Sequence, residues 1–210
     1  MTHDGPMDGG FLDRVYDVED GDAAKRLYAD WAESYDADLI ANGYASPSRC
    51  AEALAQTGVD PAAPLLDLGC GTGLSGEAFR TAGFGVIDGT DFSAEMLEVA
   101  RAKGVYRDLF LSDHEHPLPV EPGAYADMAA VGVFSPGHAP ATLIDEVLAR
   151  LLSGGRFVFT LNDHALQDPT YEGRINELCD AGGAQCLFRE RGPHLPKIDL
   201  MSTVYVLRKG

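Results

Sequence analysis

The sequence predicts an α/β domain: an open, seven-stranded, mostly parallel sheet with an antiparallel last strand and helices on both faces. Three observations carry this. From residue 64 onward short apolar segments alternate with longer amphipathic ones, the pattern of strand–helix–strand units. The first of these segments runs directly into a glycine-rich turn, LLDLGCGTG at residues 65–73. The last two apolar segments are separated by a loop of about eight residues. That is too short for a crossover helix, so they should pair antiparallel.

Taken in order, residues 1–22 begin polar and glycine-rich and are read as a flexible arm. Between Ala23 and Leu39 the residues Leu27, Tyr28, Trp31, Tyr35 and Leu39 recur at three- and four-residue steps, which predicts a helix. Ser46 before Pro47 is an N-cap and first-turn pair, so a second helix should run through CAEALAQTG and stop at Gly58. Pro64 to Leu68 is the first strand, and the glycine turn leads into the helix SGEAFRTAG. The strand FGVIDGTD, a helix opened by Ser93 and the strand VYRDLFLSD follow. AYADMAAVGVF is the fourth strand, and the helix in PATLIDEVLARLLSGG ends at two glycines. RFVFTLND is the fifth strand, with a helix near TYEGRINELCDAGG. AQCLFRERG and STVYVLRKG complete the sheet, joined by a loop holding Pro193 and Pro196. The organisation is one domain over residues 23–210, with a helical segment at 23–60 ahead of a core at 64–210.

With 45% hydrophobic and 23% charged residues in a chain of 210, the composition is that of a folded protein rather than a disordered one. No apolar run approaches the roughly 20 residues that cross a bilayer, and the first residues lack the features of a signal peptide. The expectation is a cytoplasmic protein without a membrane partner, acting as a monomer or homodimer. Cys50, Cys70, Cys179 and Cys186 form no C-x-x-C pair and sit near no histidine at ligand spacing, so reduced cysteines and no metal are expected. The formal net charge is −17, from 33 acidic and 16 basic residues. A field of that sign repels phosphate backbones, which leads to the expectation of no nucleic-acid partner and of a small-molecule substrate.

In Asp67-Leu68-Gly69-Cys70-Gly71-Thr72-Gly73 the glycines let the backbone turn sharply and approach a ligand, while the following helix points free N–H groups toward it. One register along, Gly71, Gly73 and Gly76 also match G-x-G-x-x-G, the dinucleotide fingerprint. Two carboxylates bear on the choice. Asp67 precedes the first glycine at the end of a strand, where it can accept from an ammonium group and would repel a pyrophosphate. Asp91 ends the second strand just before a helix start, suited to a pair of ribose hydroxyls, and this is compatible with either ligand.

LLDLGCGTGLSGEAF, GTDFSAEMLEVAR and LARLLSGGRFVFTL resemble the motifs of class I S-adenosylmethionine-dependent methyltransferases with a GxDxSxxML second motif. The whole pattern, including GVFSPGH, is similar to the Williams–Beuren-region methyltransferase-like subgroup, and the likeness spans roughly residues 25–210. The resemblance implies a Rossmann-like sheet, S-adenosylmethionine as cofactor and S-adenosylhomocysteine as product. It makes 23–60 an N-terminal helical lid, resembling that group's lid in YADWAESYD, whose aromatics Tyr28, Trp31 and Tyr35 would close over the cofactor. It places Asp67, Gly69, Cys70, Gly71 and Gly73 around the methionine part, Asp91 on the ribose and Phe92 against the adenine. Asp113 would accept from the adenine amino group, with His114 beside it and Val131 on the cavity floor.

Displacement at a sulfonium methyl needs alignment and exclusion of water more than covalent help. A base is required only for an acceptor that carries a proton. His138, in the GVFSPGH loop after the fourth strand, is the candidate base, weighed against a histidine that merely bonds the loop backbone. Asn162, Asp163 and His164 end the fifth strand on the same rim, and His194, Arg189, Arg191 and Tyr171 are candidates for the acceptor pocket. Met96 is expected in the core. No D/N-P-P-Y/F segment follows the fourth strand and no proline–cysteine pair is present, which speaks against the amino-methylating DNA and RNA enzymes and the cytosine-carbon type. The reading is methyl transfer to the oxygen, nitrogen or sulfur of a small molecule. Its alternatives are a cofactor-binding sensor or partner subunit without catalysis, and an NAD-dependent oxidoreductase.

Overall fold

The computed structural model describes residues 34–113, 118–135 and 139–210. Seven strands form one sheet in the order β3-β2-β1-β4-β5-β7-β6. Their ranges are β1 Pro64–Leu68, β2 Val86–Asp91, β3 Leu109–Leu111, β4 Asp127–Phe134, β5 Arg156–Asn162, β6 Ala184–Leu195 and β7 Leu200–Lys209. β1 to β5 are parallel, and β7 pairs antiparallel with both β5 and β6. The α-helices are α1 Tyr35–Ala41, α2 Ser46–Ala55, α3 Leu74–Thr81, α4 Ala94–Lys103, α5 Leu143–Arg150 and α6 Pro169–Asp180. The predicted fold class is the one observed. Of the helix predicted over 23–39, only the part from Ser34 onward lies in the described residues, and there the helix runs on to Ala41.

Because strand side chains alternate between faces, neighbouring residues feed different cores. Leu66, Met128, Phe157, Phe159 and Tyr205 face α5 and α6, which add Ile144, Val147, Leu148, Tyr171 and Ile175. Leu65, Ile87, Val158 and Val206 face the opposite way, against Leu54 of α2 and Phe79 of α3. The β5–β7 seam carries a row of stacked rings. Phe159 lies over its cross-strand partner Tyr205 at 5.3 Å and 12°, and against Phe157 at 4.8 Å.

Two local expectations changed on folding. β6 does not stop at Gly192 but continues through Pro193 to Leu195, so the hairpin loop shrinks to residues 196–199. An edge strand tolerates proline, since its missing N–H can face outward, and the ladder slips in register between Pro193 and Leu195. Ser46 is not a cap. α2 starts on it, and its hydroxyl turns inward to His194 Nδ1 at 2.7 Å and Ser202 Oγ at 3.0 Å. By contrast Ser93 caps α4 as predicted, accepting from the Met96 N–H.

The turn after β1 is held from below. Asp67 is fully buried, and its Oδ2 accepts from Ser75 Oγ at 2.6 Å and from Tyr106 Oη at 2.8 Å. The same phenol oxygen accepts the Gly76 N–H at 3.1 Å. Asp67 Oδ1 is buried with no hydrogen-bond partner among the described residues. A side chain at Gly76 would place its Cβ 2.4 Å from the Tyr106 ring, and one at Gly73 or Gly89 would stand 3.1 Å from it. Gly76 is therefore a packing glycine that admits Tyr106 against α3.

Burial pushes the Asp67 carboxyl up to about 7, with the Ser75 and Tyr106 hydrogen bonds pulling the other way and nearby Asp91 adding to the rise. The folded state thus holds this proton between about pH 4 and 7, where the unfolded chain has released it. Its contribution to stability is complete below that window and is lost as the pH rises through about 7. His194, pushed down to about 4 by burial and by Arg49, works in the opposite sense over the same range, being destabilising as the pH falls. A variant comparison isolates the carboxylate. Between pH 5 and pH 8 the wild type should lose ~2–3 kcal/mol of stability relative to Asp67→Asn in urea titrations. A difference that stays constant across that range would refute the assignment. In the core, Phe159→Ala should cost ~3–5 kcal/mol by the same measurement, because the stacked row leaves no neighbour able to fill the void.

Candidate functional site

A cavity of about 210 Å³ opens at the C-terminal ends of β1, β2 and β4. This is where the strand order reverses, and where open α/β sheets leave a crevice for ligands. The β1 turn supplies bare backbone. Gly69 has φ +60°, and a Cβ there would meet the Val133 side chain at 2.6 Å. Gly71 has φ +53° and nothing within 4 Å of a Cβ position, so its peptide lies open to a ligand. Asp91 ends β2 and binds that turn, its Oδ2 accepting the Gly71 N–H at 2.8 Å and its Oδ1 the Ser93 N–H at 2.9 Å. Each oxygen keeps a lone pair for a ligand hydroxyl. Burial raises the Asp91 carboxyl, and the backbone N–H groups of Ser93, Gly71 and Phe92 oppose the rise.

Of the residues singled out from sequence, Tyr35, Gly69, Gly71, Asp91, Phe92, Asp113 and Val131 line this cavity. Asp67, Cys70 and Gly73 do not. Asp67 is turned under the loop toward Ser75 and Tyr106, Cys70 is buried with its sulfur toward Gly89, and Gly73 lies against the Tyr106 ring. Tyr28, Trp31, His114 and His138 lie outside the described residues. Met96 is core by burial and yet contributes to the wall.

The acceptor-pocket candidates are dispersed by tertiary contacts. Tyr171 is buried against Phe134 and donates to the Ala139 carbonyl at 2.7 Å. Arg189 pairs with Glu172, and Arg191 with Asp163. Asn162 accepts the Ala165 N–H, closing an ordinary turn after β5. His194 is buried in the Ser46–Ser202 network, edge-on to Tyr44 at 5.2 Å.

Other lining residues escaped the sequence reading. Thr90 and Ser112 flank the two aspartates, while Leu143 and Glu146 come from the first turn of α5. A helical period shows that α5 has an apolar face but not that its N-terminal end overhangs the β4 crevice. At the β4 end Gly132 has φ +74° and donates to Thr160 Oγ1 at 2.8 Å, where the register against β5 shifts. A Cβ on Gly132 would stand 2.6 Å from the Tyr44 hydroxyl, so Tyr44 packs directly behind the cavity floor.

The wall is acidic. Asp91, Asp113 and Glu146 line it, and among the described lining residues there is no lysine, arginine or histidine. Such a wall suits a ligand carrying positive charge and hydroxyl donors, and disfavours the pyrophosphate of a dinucleotide.

Residues 66–159 match the family model described as a methyltransferase domain. The human methyltransferase-like protein 27 is 37% identical over 131 residues, covering 60% of this chain and 54% of that protein. The 18S rRNA (guanine(1575)-N(7))-methyltransferase of Saccharomyces cerevisiae is 28% identical over 137 residues, covering 59% of this chain and 50% of that protein. The chain thus spans about half the length of these curated relatives. Among solved structures, the methyltransferase-like partner in a complex with the Haloferax volcanii Trm112 methyltransferase activator superposes with a TM-score of 0.63. It is 20% identical, covering 84% of this chain and 93% of that one, and shows the shared fold.

The rRNA relative overturns one expectation. Exclusion of nucleic acid, and with it the restriction to a small-molecule partner, rested on the net charge of −17. Net charge sums the whole surface, whereas recognition of an acceptor depends on the few residues at the rim of one cavity. Taken together, the sheet order, the glycine turn with its paired aspartate and the sequence matches make the chain similar to methyltransferases, with the family match confined to residues 66–159.

Proposed function

We propose that the chain catalyses methyl transfer from S-adenosylmethionine to a nucleophilic oxygen, nitrogen or sulfur presented at the β4 end of the cavity. The observation that carries the reading is the acidic, partly apolar wall built around Asp91. S-adenosylmethionine would supply there a methyl group made electrophilic by a sulfonium. Asp91 accepts from the two ribose hydroxyls while the Gly71 and Ser93 N–H groups hold its carboxylate still. Asp113 would hold the adenine end, with Phe92 and Met96 of the same wall giving it apolar surface. Val131, Val133 and Leu143 exclude water from the opposite end, which strengthens every electrostatic contact inside. His138, four residues beyond β4 in sequence, is assigned the proton of an acceptor that carries one.

For the acceptor, the 18S rRNA guanine methyltransferase among the relatives supports including an RNA base. Calorimetry should show micromolar binding of S-adenosylmethionine and S-adenosylhomocysteine and no binding of NAD. Asp91→Ala should weaken the first two by ~1.5–3 kcal/mol, the loss of charge-assisted hydrogen bonds to the ribose. An unchanged dissociation constant would remove Asp91 from the site. Methyl-labelled donor incubated with total RNA, with a protein extract and with a metabolite extract then identifies the acceptor class. Intact cofactor binding with no label in any arm would replace the enzyme by the sensor reading.

A further inference from the structure

At the rear of the cavity three elements meet on one carboxylate. Thr72 lies inside the glycine turn with 1% of its surface exposed, and its hydroxyl donates to Asp36 Oδ1. The other oxygen, Asp36 Oδ2, is 2.7 Å from Lys103 Nζ. Lys103 is the last residue of α4 and also reaches Glu77 of α3 at 2.9 Å. Its side chain is only 16% exposed, against 29% for Asp36, so the pair is shielded from much of the solvent. Asp36 sits on α1 next to Tyr35, which lines the cavity.

α1 is seven residues long and buries Leu39, which packs with Leu195 and Leu200, and half-buried Tyr35 leans on the same cluster. Its first turn is joined to the glycine turn and to α4 through Asp36. We propose that Asp36 is a positioning residue for cofactor binding: bridging Thr72 and Lys103, it clamps α1 to the glycine turn and to α4 and so sets Tyr35 over the cavity. The inference rests on the cofactor reading above. It goes beyond that reading because Asp36, Thr72 and Lys103 are outside the residues that touch the ligand space. The pairing also explains the threonine between two glycines. Its hydroxyl faces away from the ligand, toward α1.

The test uses S-adenosylhomocysteine, whose net charge is zero at neutral pH, so that salt acts on the clamp rather than on the ligand. Calorimetric titrations compare wild type, Asp36→Asn, Lys103→Met and the exchanged pair Asp36→Lys with Lys103→Asp. Each is measured at about 50 mM and about 0.5 M salt, conditions that leave and remove most screening-sensitive attraction. At low salt Asp36→Asn and Lys103→Met should each raise Kd about tenfold, the size of one charge-assisted hydrogen bond. High salt should weaken the wild type toward the variants, and the exchanged pair should recover part of the lost affinity. Equal affinities at low salt would overturn the clamp while leaving the cofactor reading intact. Lowered melting temperatures with no recovery in the exchanged pair would overturn it in favour of a merely structural contact. A wild type that binds no S-adenosylhomocysteine would overturn the cofactor reading and the clamp with it.

Discussion

The buried carboxylate of Asp67, at the end of the first strand, is the constraint on which the site depends. It has been taken out of water and is satisfied on one oxygen only, by Ser75 and Tyr106. An uncompensated charge in that position is costly, which is why the carboxyl holds its proton up to about 7. Tyr106 bridges it to the Gly76 N–H and so joins the strand end to the start of α3. The turn between them is thereby closed, and the Gly71 N–H is left pointing at Asp91 on the next strand. Two hydrogen-bonded groups, joined by the backbone of the turn, thus make a chain from beneath the loop to the wall of the cavity.

That chain resolves the ambiguity of the glycines. Read as a string, Gly71, Gly73 and Gly76 fit a dinucleotide fingerprint as well as a methyl-donor loop. In the fold Gly76 is occupied by its contact with Tyr106, thirty residues away in sequence, and leaves no surface toward the cavity. The wall facing the loop carries three carboxylates, Asp91, Asp113 and Glu146, and no lysine, arginine or histidine among its described lining residues. The local field and the total charge therefore carry different information. The excess of acidic residues says little about which acceptor reaches a rim that a few side chains define, and an rRNA methyltransferase stands among the relatives.

Much of the architecture was legible in the sequence because its signals are local. Alternation of apolar segments marked the strands and the Ser93 cap marked a helix start, whereas the helix expected to end at Gly154 and Gly155 stops at Arg150. The short final loop set the antiparallel hairpin, although Pro193 concealed the true length of β6, since a proline stops a strand only where its missing N–H is needed. Part of the cavity wall was legible for the same reason: Gly69, Gly71, Asp91 and Phe92 lie within or beside strand ends that their own neighbours define. Glu146 and Leu143 were not, because their role depends on where α5 comes to rest. Arg189, Arg191 and Tyr171 do not line the cavity, and each finds its partner in a segment that sequence distance does not connect to it.

By itself, then, the sequence determined the order of the elements, the parallel sheet and the glycine turn after the first strand, all of which follow from periodicity and from residues a few positions apart. Only the tertiary structure decided that Asp67 bonds Ser75 and Tyr106 beneath the loop, that Gly76 makes room for Tyr106, and that Asp36 reaches Thr72 and Lys103. These are contacts between side chains brought together by packing, and burial, not spacing, determines what each carboxylate can hold.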